Sequence, residues 1–396
     1  MTEVIIVGAG PVGLMLAALL GKRGRQVLVL EKRPSRASGS NAIGVSPPSL
    51  ALLDKLGLAG DLKLWGASIE KVYVHGQDSR LLGEVNFDNP ILSVPQGVTE
   101  MLLEQKLREF QNVTVEYGWE FQSFDQGPGF LMAMFQDAAG NPRAERGSFL
   151  VGCDGVKSVV RNSIEVHWRP QHFDSTFLMG DYEDSTGWKH DAHLFFTSFG
   201  AVESFPLGQG KRRWIVQTPT YMDDPGSYLE DQVRLRTGIE LDPATRTWQS
   251  PFGIHRWISS HYAWGRVYLA GDSAHQMSPI GGQGMNTGFA DAEFLAALLD
   301  ARLDKPDAPL AEKWNQLYSR IRRKAGRTAA ARSELSMSVG TVRGWASQWR
   351  NAVLAWGLKA LKKQIPPHYA MLTIPFRDLA QAKARHPELS SLKETL

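Results

Sequence analysis

Apolar and polar positions alternate in two ways along the chain, and each pattern predicts its own kind of element. Residues 4–7, 27–30 and 267–270 are short apolar runs, typical of strands buried on both faces. Residues 11–23 predict a helix that ends at Gly24. Residues 193–199, 201–207 and 213–218 are separated by glycine turns and predict an antiparallel sheet. The sequence therefore predicts a mixed α/β protein.

A glycine-rich turn joins the first strand to the first helix. It reads Gly8-Ala9-Gly10-Pro11-Val12-Gly13, a G-x-G-x-x-G, and Glu31 ends the next strand 18 residues after Gly13. In such a turn the first glycine permits a tight bend, the second lets a pyrophosphate approach, and the third lets helix and strand pack closely. A carboxylate at Glu31 would accept from ribose hydroxyls and repel a 2′-phosphate, which predicts FAD or NAD rather than NADP.

Two later strand ends favour FAD over NAD. Asp154-Gly155 follows the strand at 150–153, and Gly271-Asp272 follows the strand at 267–270. A double glycine at 281–282 and a predicted helix come next, and helix N-termini attract negative charge. Three strand ends with glycine or acid suit the long FAD molecule, whereas an NAD site needs only the first.

In this order the three motifs resemble those of the class A FAD-dependent aromatic hydroxylases, the para-hydroxybenzoate hydroxylase superfamily, over roughly residues 1–330. The resemblance implies a Rossmann-like FAD-binding domain, an inserted, mainly antiparallel substrate domain and a helical C-terminal region. It also implies an oxidoreductase that consumes NADH or NADPH and O2. Such a monooxygenase hydroxylates an aromatic, quinone-like or polyketide-like small molecule through a flavin C4a-hydroperoxide, without a metal ion or a nucleophilic triad.

Carried over residue by residue, the resemblance implies that Glu31 holds the adenosine ribose and Asp272 the ribitol. Pro279 and Gly282 would lie beside the isoalloxazine, where the N–H groups of residues 282, 284 and 285 would stabilise reduced flavin. His275 would be a structural hydrogen-bonding residue. The full cofactor set is Gly8, Gly10, Val12, Gly13, Glu31, Lys32, Gln96, Asp154, Gly155, Gly271, Asp272, Gly284, Met285 and Asn286.

One position departs from the family pattern. Asn41 stands where the family usually has an arginine that approaches the pyrophosphate or the flavin. Lys32, Arg33 or Arg36 could supply that charge instead.

The predicted FAD-binding domain is discontinuous and comprises residues 1–70, 97–165 and 255–330. Residues 71–96 and 166–254 form the predicted substrate domain, and residues 331–396 the helical region. Phe196, Val216 and Tyr221 are candidates for lining the substrate pocket. The alternative, that each is an ordinary core or surface residue of the sheet, stays open.

Apolar residues recur at helical spacing in the C-terminal region. Trp345, Trp349, Val353 and Trp356 are followed by lysines at 359, 362 and 363. This pattern predicts a helix packed on the substrate domain or on a partner subunit. The alternative is a basic amphipathic helix that touches a membrane surface. We expect a monomer or a homodimer.

Composition narrows the function further. Apolar residues make up 43% and charged residues 21% of the 396 residues, which is typical of globular proteins. The net charge of +3 is too balanced for nucleic-acid binding. The single cysteine, Cys153, suits a reducing compartment, and the first strand begins almost at the start of the chain, so we expect a cytoplasmic protein.

Three other functions remain open. A related flavin-dependent halogenase would typically carry Trp-x-Trp-x-Ile-Pro, and residues 345–349 have the wrong spacing. An isoprenoid-chain reductase would reduce its substrate without consuming O2. A non-catalytic flavoprotein, or an NAD-binding scaffold, would share the nucleotide motif without the oxygen chemistry.

Overall fold

The structure, a computed structural model, describes residues 2–36, 42–164, 166–168, 171–305, 311–375 and 377–393. Asn41, at the departure from the family pattern, lies outside these residues. The strands within them are β1 (Val4–Val7), β2 (Val27–Glu31), β3 (Gly44–Val45), β4 (Ala67–His75), β5 (Leu81–Ser93), β6 (Val113–Tyr117), β7 (Glu120–Gly127), β8 (Phe130–Gln136), β9 (Pro142–Gly147), β10 (Phe149–Gly152), β11 (Gln171–Glu183), β12 (Ala192–Thr197), β13 (Gly200–Gly208), β14 (Lys211–Thr218), β15 (Trp248–Ile258), β16 (Ala263–Trp264), β17 (Val267–Leu269) and β18 (His275–Gln276).

The helices account for most of the remaining described chain. They are α1 (Pro11–Lys22), α2 (Pro47–Asp54), α3 (Ala59–Trp65), α4 (Gln96–Leu107), α5 (Val159–Asn162), α6 (Tyr228–Thr237), α7 (Gly284–Asp304), α8 (Ala311–Gly340), α9 (Ala346–Ala360), α10 (Ile365–Tyr369) and α11 (Leu379–Arg385). The predicted first helix is confirmed, and Gly24 follows it with a φ of 80°. The mixed α/β class and the helical C-terminal region are confirmed as well.

A mainly parallel sheet carries the glycine-rich strand ends. Its order is β16-β17-β10-β1-β2-β6, with β16 antiparallel to β17 and the other pairs parallel. All residues of β1, β2, β10 and β17 are buried, which explains their uninterrupted apolar runs. Because parallel strands end at one edge, the turns after β1, β2, β10 and β17 meet there.

The second sheet has nine strands, in the order β18-β15-β11-β14-β13-β12-β4-β5-β3. The three strands predicted between residues 193 and 218 are β12, β13 and β14, paired antiparallel as expected. One face of this sheet packs on α6 through Val202, Trp214 and Val216. The opposite face packs on α9 and α10. A separate three-stranded antiparallel sheet comprises β7, β8 and β9.

The two large sheets suggest a division of the chain into two parts, although β18 and the end of β15, within residues 255–330, belong to the nine-stranded sheet. We propose that the parallel sheet, with residues 1–70, 97–165 and 255–330, is the nucleotide-binding part. Residues 71–96 and 166–254 would be the substrate part. The short strand β3 and the start of β4 lie in the nine-stranded sheet although they precede residue 71. In the described residues, no helix combines the length and the apolar character needed to cross a bilayer.

Candidate active site

Two of the three glycines in the turn after β1 are packed tightly against neighbouring backbone, and the third has open space beside it. A Cβ at Gly8 would lie 2.5 Å from the Cys153 carbonyl oxygen, and one at Gly13 would lie 2.1 Å from the Gly8 carbonyl oxygen. A Cβ at Gly10 would meet nothing within 4 Å. The first and third glycines are therefore required by packing, whereas the second leaves room for a bulky group to approach the backbone.

Three N–H groups, from Ala9 and Arg33, donate hydrogen bonds to the Glu31 carboxylate. Ala9 donates its N–H to one oxygen at 2.8 Å, and the Arg33 N–H and Nε donate to the other at 3.0 and 2.8 Å. Burial raises the pKa of Glu31, but these bonds outweigh burial, so the pKa lies below its usual value. The oxygen that accepts from Ala9 keeps a second lone pair, which can accept from a ribose hydroxyl.

The structure places Arg33, rather than Lys32, beside this carboxylate. Lys32 is exposed, and its Nζ lies 3.9 Å from Glu120. Lys32 is therefore a weak candidate for the cofactor set.

Asp272 follows β17 at the edge of the parallel sheet where the turns after β1, β2 and β10 also meet, and we call this edge the cofactor groove. Its carboxyl forms no hydrogen bond or ion pair among the described residues. It is exposed to solvent, yet surrounding protein atoms raise its pKa by desolvation. Gly271 before it has a φ of 63°, and a Cβ there would lie 2.9 Å from a methyl of Val12. A Cβ at Gly288 in α7 would lie 2.5 Å from the same methyl, so Val12 links the first motif to the third.

Asp154 has a structural role at its predicted position. One of its oxygens accepts from the N–H groups of Val159 and Val160, at 2.8 and 3.1 Å, and so caps α5. Its other oxygen is buried and has no partner in the described residues, and burial raises the pKa of this carboxyl. A Cβ at Gly155 would meet nothing within 4 Å, so this strand end is also open.

A turn of two glycines leads into α7. Gly281 and Gly282 have φ values of 83° and 63°, and the Gly282 N–H donates to the Pro279 carbonyl at 2.9 Å. The Gly282 N–H therefore already has an acceptor within the turn, and its expected contribution to flavin binding stays a prediction. The N–H groups of Gly284 and Met285, in the first turn of α7, have no backbone acceptor among the described residues and remain available.

Asn286 fastens this turn to the neighbouring chain. Its Oδ1 accepts from the Ser46 N–H at 2.8 Å, and its Nδ2 donates to the carbonyls of Gly44 and Gly282 at 2.9 and 2.7 Å. Its side chain therefore shapes the loop of residues 279–284, which we call the flavin loop. We propose that Asn286 acts on the cofactor through that loop.

Gln96 is the first residue of α4 rather than a residue before it. Its N–H donates to the Ala42 carbonyl at 3.0 Å, and its side-chain Nε2 donates to Glu100 at 2.8 Å. Burial raises the pKa of Glu100.

The candidate substrate residues fall in three different places. Phe196 lies on the face of the nine-stranded sheet that packs on α9 and α10. Val216 is a correction: its side chain is fully buried on the opposite face with Leu178 and Trp214, because successive strand residues alternate. Tyr221 is exposed after the end of β14. Of the three, Phe196 alone packs in the same cluster as Tyr369 of α10, whose ring lies close to Gly281.

These residues fit FAD. The groove has an open backbone at Gly10 for a pyrophosphate, as well as an unpartnered carboxyl at Asp272 that can accept from ribitol hydroxyls. Free N–H groups at the start of α7 suit an electron-rich ring.

Comparison with known proteins agrees with this geometry. The sequence model of a family described as FAD binding domain matches residues 1–333. An uncharacterized aromatic compound monooxygenase of Bacillus subtilis (strain 168) is 30% identical over 315 residues, covering 78% of this chain and 63% of that protein. A probable NADH-specific resorcinol 4-hydroxylase of Rhodococcus jostii (strain RHA1) is 29% identical over 324 residues, covering 78% and 61%.

The chain belongs to the class A FAD-dependent aromatic hydroxylase family. Its FAD-binding domain is thereby confirmed. The crystal structure of p-nitrophenol 4-monooxygenase from Pseudomonas putida DLL-E4 has the same fold, with a TM-score of 0.84 at 23% identity, covering 96% of this chain and 98% of that one. The chain spans less than two thirds of the length of the two curated relatives named above.

In this family member, a buried network that sequence reasoning missed supports the Gly271 turn. One carboxylate oxygen of Asp291, in α7, accepts from the Gly271 N–H at 3.0 Å and lies 2.7 Å from His275 Nε2. Its other oxygen accepts from Arg322 Nε, in α8, at 2.6 Å. Burial raises the pKa of Asp291, but Arg322 and His275 outweigh burial and lower it overall. His275 therefore has the structural position that we expected. The two carboxylates Asp291 and Glu293 inside the otherwise apolar stretch of α7 were the available signal.

Sequence reasoning also missed Glu203, which lies on the face of the nine-stranded sheet that packs on α9 and α10. Glu203 is two residues after Ala201, so both side chains point to the face that packs on α10. Its carboxyl has no hydrogen bond or ion pair among the described residues, and burial raises its pKa to about 7. Nearby, the Tyr369 ring would lie 3.7 Å from a Cβ at Gly281, and the Glu203 charge contributes to raising the pKa of Tyr369.

Gln283 completes this polar group. It is fully buried, and neither its Oε1 nor its Nε2 has a partner in the described residues. Its Nε2 would lie 3.8 Å from a Cβ at Gly281. Buried amides without partners are uncommon, which indicates a ligand-binding position between the flavin loop and the sheet.

Proposed function

We propose that this protein is an FAD-dependent monooxygenase that inserts one oxygen atom of O2 into an aromatic small molecule, with NADH or NADPH as the reductant. The observation that carries the proposal is the unpartnered Asp272 carboxyl beside the open Gly10 turn. Both residues lie where strands of the parallel sheet end, at one edge of that sheet, and the loop of residues 279–284 follows Asp272 in the chain. Membership of the aromatic hydroxylase family supports the same conclusion.

When bound, FAD supplies the redox and oxygen chemistry, and the protein residues bind and orient it. Glu31 would accept from the adenosine ribose, and the backbone at Gly10 would lie against the pyrophosphate. Asp272 would accept from the ribitol, and the N–H groups of Gly284 and Met285 would face the electron-rich edge of the ring. Pro279 and Gly282 would form the wall beside that ring.

The reductant is proposed to bind only transiently. Residues 8–13 carry a G-x-G-x-x-G, and we propose that FAD occupies it, which leaves no separate nucleotide motif for NADH or NADPH. The NADH-specific name of the resorcinol hydroxylase relative supports NADH as the first cosubstrate to test.

Glu203 narrows the proposed substrate. A carboxyl without a counter-cation in a pocket wall repels a second carboxylate, and it can accept a hydrogen bond from a phenolic hydroxyl. With a pKa of about 7 it can also take up that proton near neutral pH. We therefore propose an uncharged phenol as substrate, with its hydroxyl at Glu203 and its ring between Phe196 and the flavin loop. Resorcinol, named for one relative, is an uncharged phenol, and p-nitrophenol, named for a solved structure, is a phenol without a carboxylate.

A coupled assay tests the proposal. Purified protein is loaded with FAD and mixed with NADH or NADPH and a panel of uncharged phenols. Oxidation of the nicotinamide and O2 uptake should rise together with a product that has gained one oxygen atom by mass spectrometry. A halogenase or a non-catalytic flavoprotein would give no such product, and an isoprenoid-chain reductase would reduce its substrate without O2 uptake.

One variant and its matched control test whether the substrate contacts Glu203. Glu203→Gln should weaken binding of the phenol and bind an analogue with a carboxylate better than the wild type does. Glu70→Gln, an exposed position on β4, is the matched control and should change neither. If the phenol-to-carboxylate preference of Glu203→Gln equals that of the wild type, Glu203 does not contact substrate.

A further inference from the structure

Four large apolar side chains form an exposed stripe on α9. Trp345, immediately before the helix, is 81% exposed, and Trp349, Val353 and Trp356 are 71%, 65% and 69% exposed. At about 100° per residue these positions fall within an arc of about 80°, so they share one side of the helix. We call these four residues the tryptophan face.

The other side of α9 is firmly attached to the nine-stranded sheet. Arg350 donates to the carbonyls of Val342 and Thr197 at 2.8 and 3.2 Å, and Asn351 donates to the Phe196 carbonyl at 3.1 Å. Leu354 and Leu358 pack with Val85 and Phe87 of β5. The helix therefore cannot roll to bury the tryptophan face without losing these contacts, and the predicted packing on the substrate domain uses only the opposite side.

A hairpin tip extends the apolar surface. The Gly344 N–H donates to the Ser198 carbonyl at 2.8 Å, which brings the residues next to these two together. One neighbour is Phe199, which is 55% exposed, and the other is Trp345. Monomeric proteins rarely keep several large apolar side chains exposed side by side unless the surface binds something.

The segment that carries the tryptophan face has side-chain charges of one sign. Between Glu334 and Asp378 the sequence contains no acidic residue and six basic ones. Three of them, Lys359, Lys362 and Lys363, are exposed at the end of α9. In the described part of the chain, none of these three lysines forms an ion pair. Aromatic side chains with lysines beside them suit the interface of a bilayer with negatively charged headgroups.

We propose that the tryptophan face docks on a membrane surface that contains anionic phospholipids. The tryptophan rings would enter the headgroup region, and Lys359, Lys362 and Lys363 would lie near the phosphates. A second copy of the chain is the less suitable occupant. A two-fold dimer through this face would bring the same lysine-bearing surface of each subunit together, with no acidic residue from this segment to compensate.

Vesicle binding tests the proposal on the full-length protein loaded with FAD. The wild type should co-sediment with vesicles of phosphatidylglycerol, remain in solution with phosphatidylcholine vesicles, and be released by high salt. Tryptophan emission should shift to shorter wavelength on binding. The triple variant W345S/W349S/W356S should bind at least about tenfold more weakly, because interfacial binding scales with the apolar area inserted. The matched control Trp264→Ser, at another exposed tryptophan, should bind as the wild type does.

The lysines are tested separately. K359Q/K362Q/K363Q should lower binding to anionic vesicles roughly 100-fold, since each basic residue near such a surface contributes about fivefold. Circular dichroism and FAD content of each variant should match the wild type, because none of these side chains lies in the core or the cofactor groove. If one of these triple variants loses FAD, the vesicle binding of the three corresponding single-substitution variants is measured instead.

Three results would overturn the proposal. The first is a wild type that does not bind phosphatidylglycerol vesicles. The second is equal binding to both vesicle types, which would remove the role of charge. The third is a wild-type dimer, measured by light scattering, that the triple tryptophan variant converts to a monomer, because a second copy would then cover the face.

Discussion

At the scale of single residues, three carboxyl groups differ in what they can do because their partners differ. Asp291 is saturated by Arg322, His275 and the Gly271 N–H, so it can only support the fold. Asp272 and Glu203 have no partner among the described residues, and desolvation by surrounding protein atoms raises the pKa of both, although Asp272 is also open to solvent. A native protein keeps such groups mainly where a ligand pairs with them. FAD is the proposed partner of the first and substrate that of the second.

Replacement of Asp272 should weaken FAD binding without unfolding the protein. Asp272→Ala removes acceptors for the ribitol, and hydrogen bonds to charged groups contribute about 1.5–3 kcal/mol, so the Kd for FAD should rise about 10- to 100-fold. Fluorescence titration of apoprotein with FAD measures this. Asp88→Ala, at an exposed position of β5, is the control. Equal FAD affinity in Asp272→Ala and wild type would contradict the role assigned to Asp272.

Glu203 should make stability depend on pH near neutrality. Its pKa rises from 4.5 to about 7 on folding, so the folded state binds more protons between these values. Stability is therefore fully present below about pH 4.5 and falls as pH rises toward 7, by at most about 3 kcal/mol.

Glu203→Gln removes this titration, so the variant should gain stability over the wild type as the pH is raised. Urea unfolding of both proteins at about pH 5 and about pH 8 measures the difference. A constant difference between the two proteins at both pH values would show that Glu203 does not titrate in this range.

At the scale of elements, the β1–α1 turn contains one glycine that packing requires, Gly13, and one that we propose cofactor binding requires, Gly10. Gly13→Ala places a Cβ 2.1 Å from the Gly8 carbonyl oxygen, so it should prevent the turn from forming and lower stability by several kcal/mol. Gly10→Ala places a Cβ in open space, so the apoprotein should unfold like the wild type, yet bind FAD poorly. Thermal unfolding and FAD titration of the two variants check this contrast. Normal FAD affinity in Gly10→Ala would mean that no pyrophosphate approaches that residue.

The α7–α8 pair depends on the buried Asp291–Arg322 contact. Asp291→Ala leaves Arg322 buried without its carboxylate, which should cost about 3–5 kcal/mol of unfolding free energy. Adding Arg322→Met should recover part of this loss, because the uncompensated charge is then removed. Denaturant unfolding of the single and double variants measures the coupling. Fully additive losses would show that the contact does not account for the effect.

The elements themselves were readable from sequence, but their mutual contacts were not. The β1–α1 turn follows from local glycine spacing, and the helix at 345–360 follows from its apolar period. The side of that helix that packs is set by Arg350 and Asn351, polar residues that the apolar pattern ignores. Val216 lies in a strand that is largely buried on both faces, so alternation did not show which face borders the site. Asp291 contacts Gly271 and Arg322 only after three elements have packed.

At the scale of the whole molecule, two sheets meet at one loop. The edge of the parallel sheet carries Gly10, Glu31 and Asp272, and the pocket-facing side of the nine-stranded sheet carries Glu203. The Pro279–Gly284 loop lies between them, with Gly281 close to Tyr369 of α10. With FAD at the sheet edge and the phenol at Glu203, as proposed, this arrangement would bring the flavin and the aromatic ring together, as a reaction between them requires.

Labelled oxygen tests the central claim most directly. FAD-loaded protein is reduced anaerobically with NADH or NADPH in the presence of an uncharged phenol and then mixed with O2 made of the heavy oxygen isotope. The account predicts that the nicotinamide bleaches the flavin, and that one labelled oxygen atom from O2 appears in the hydroxylated product. A flavin that neither cosubstrate reduces with any phenol of the panel, or a product oxygen that comes from water, would contradict it.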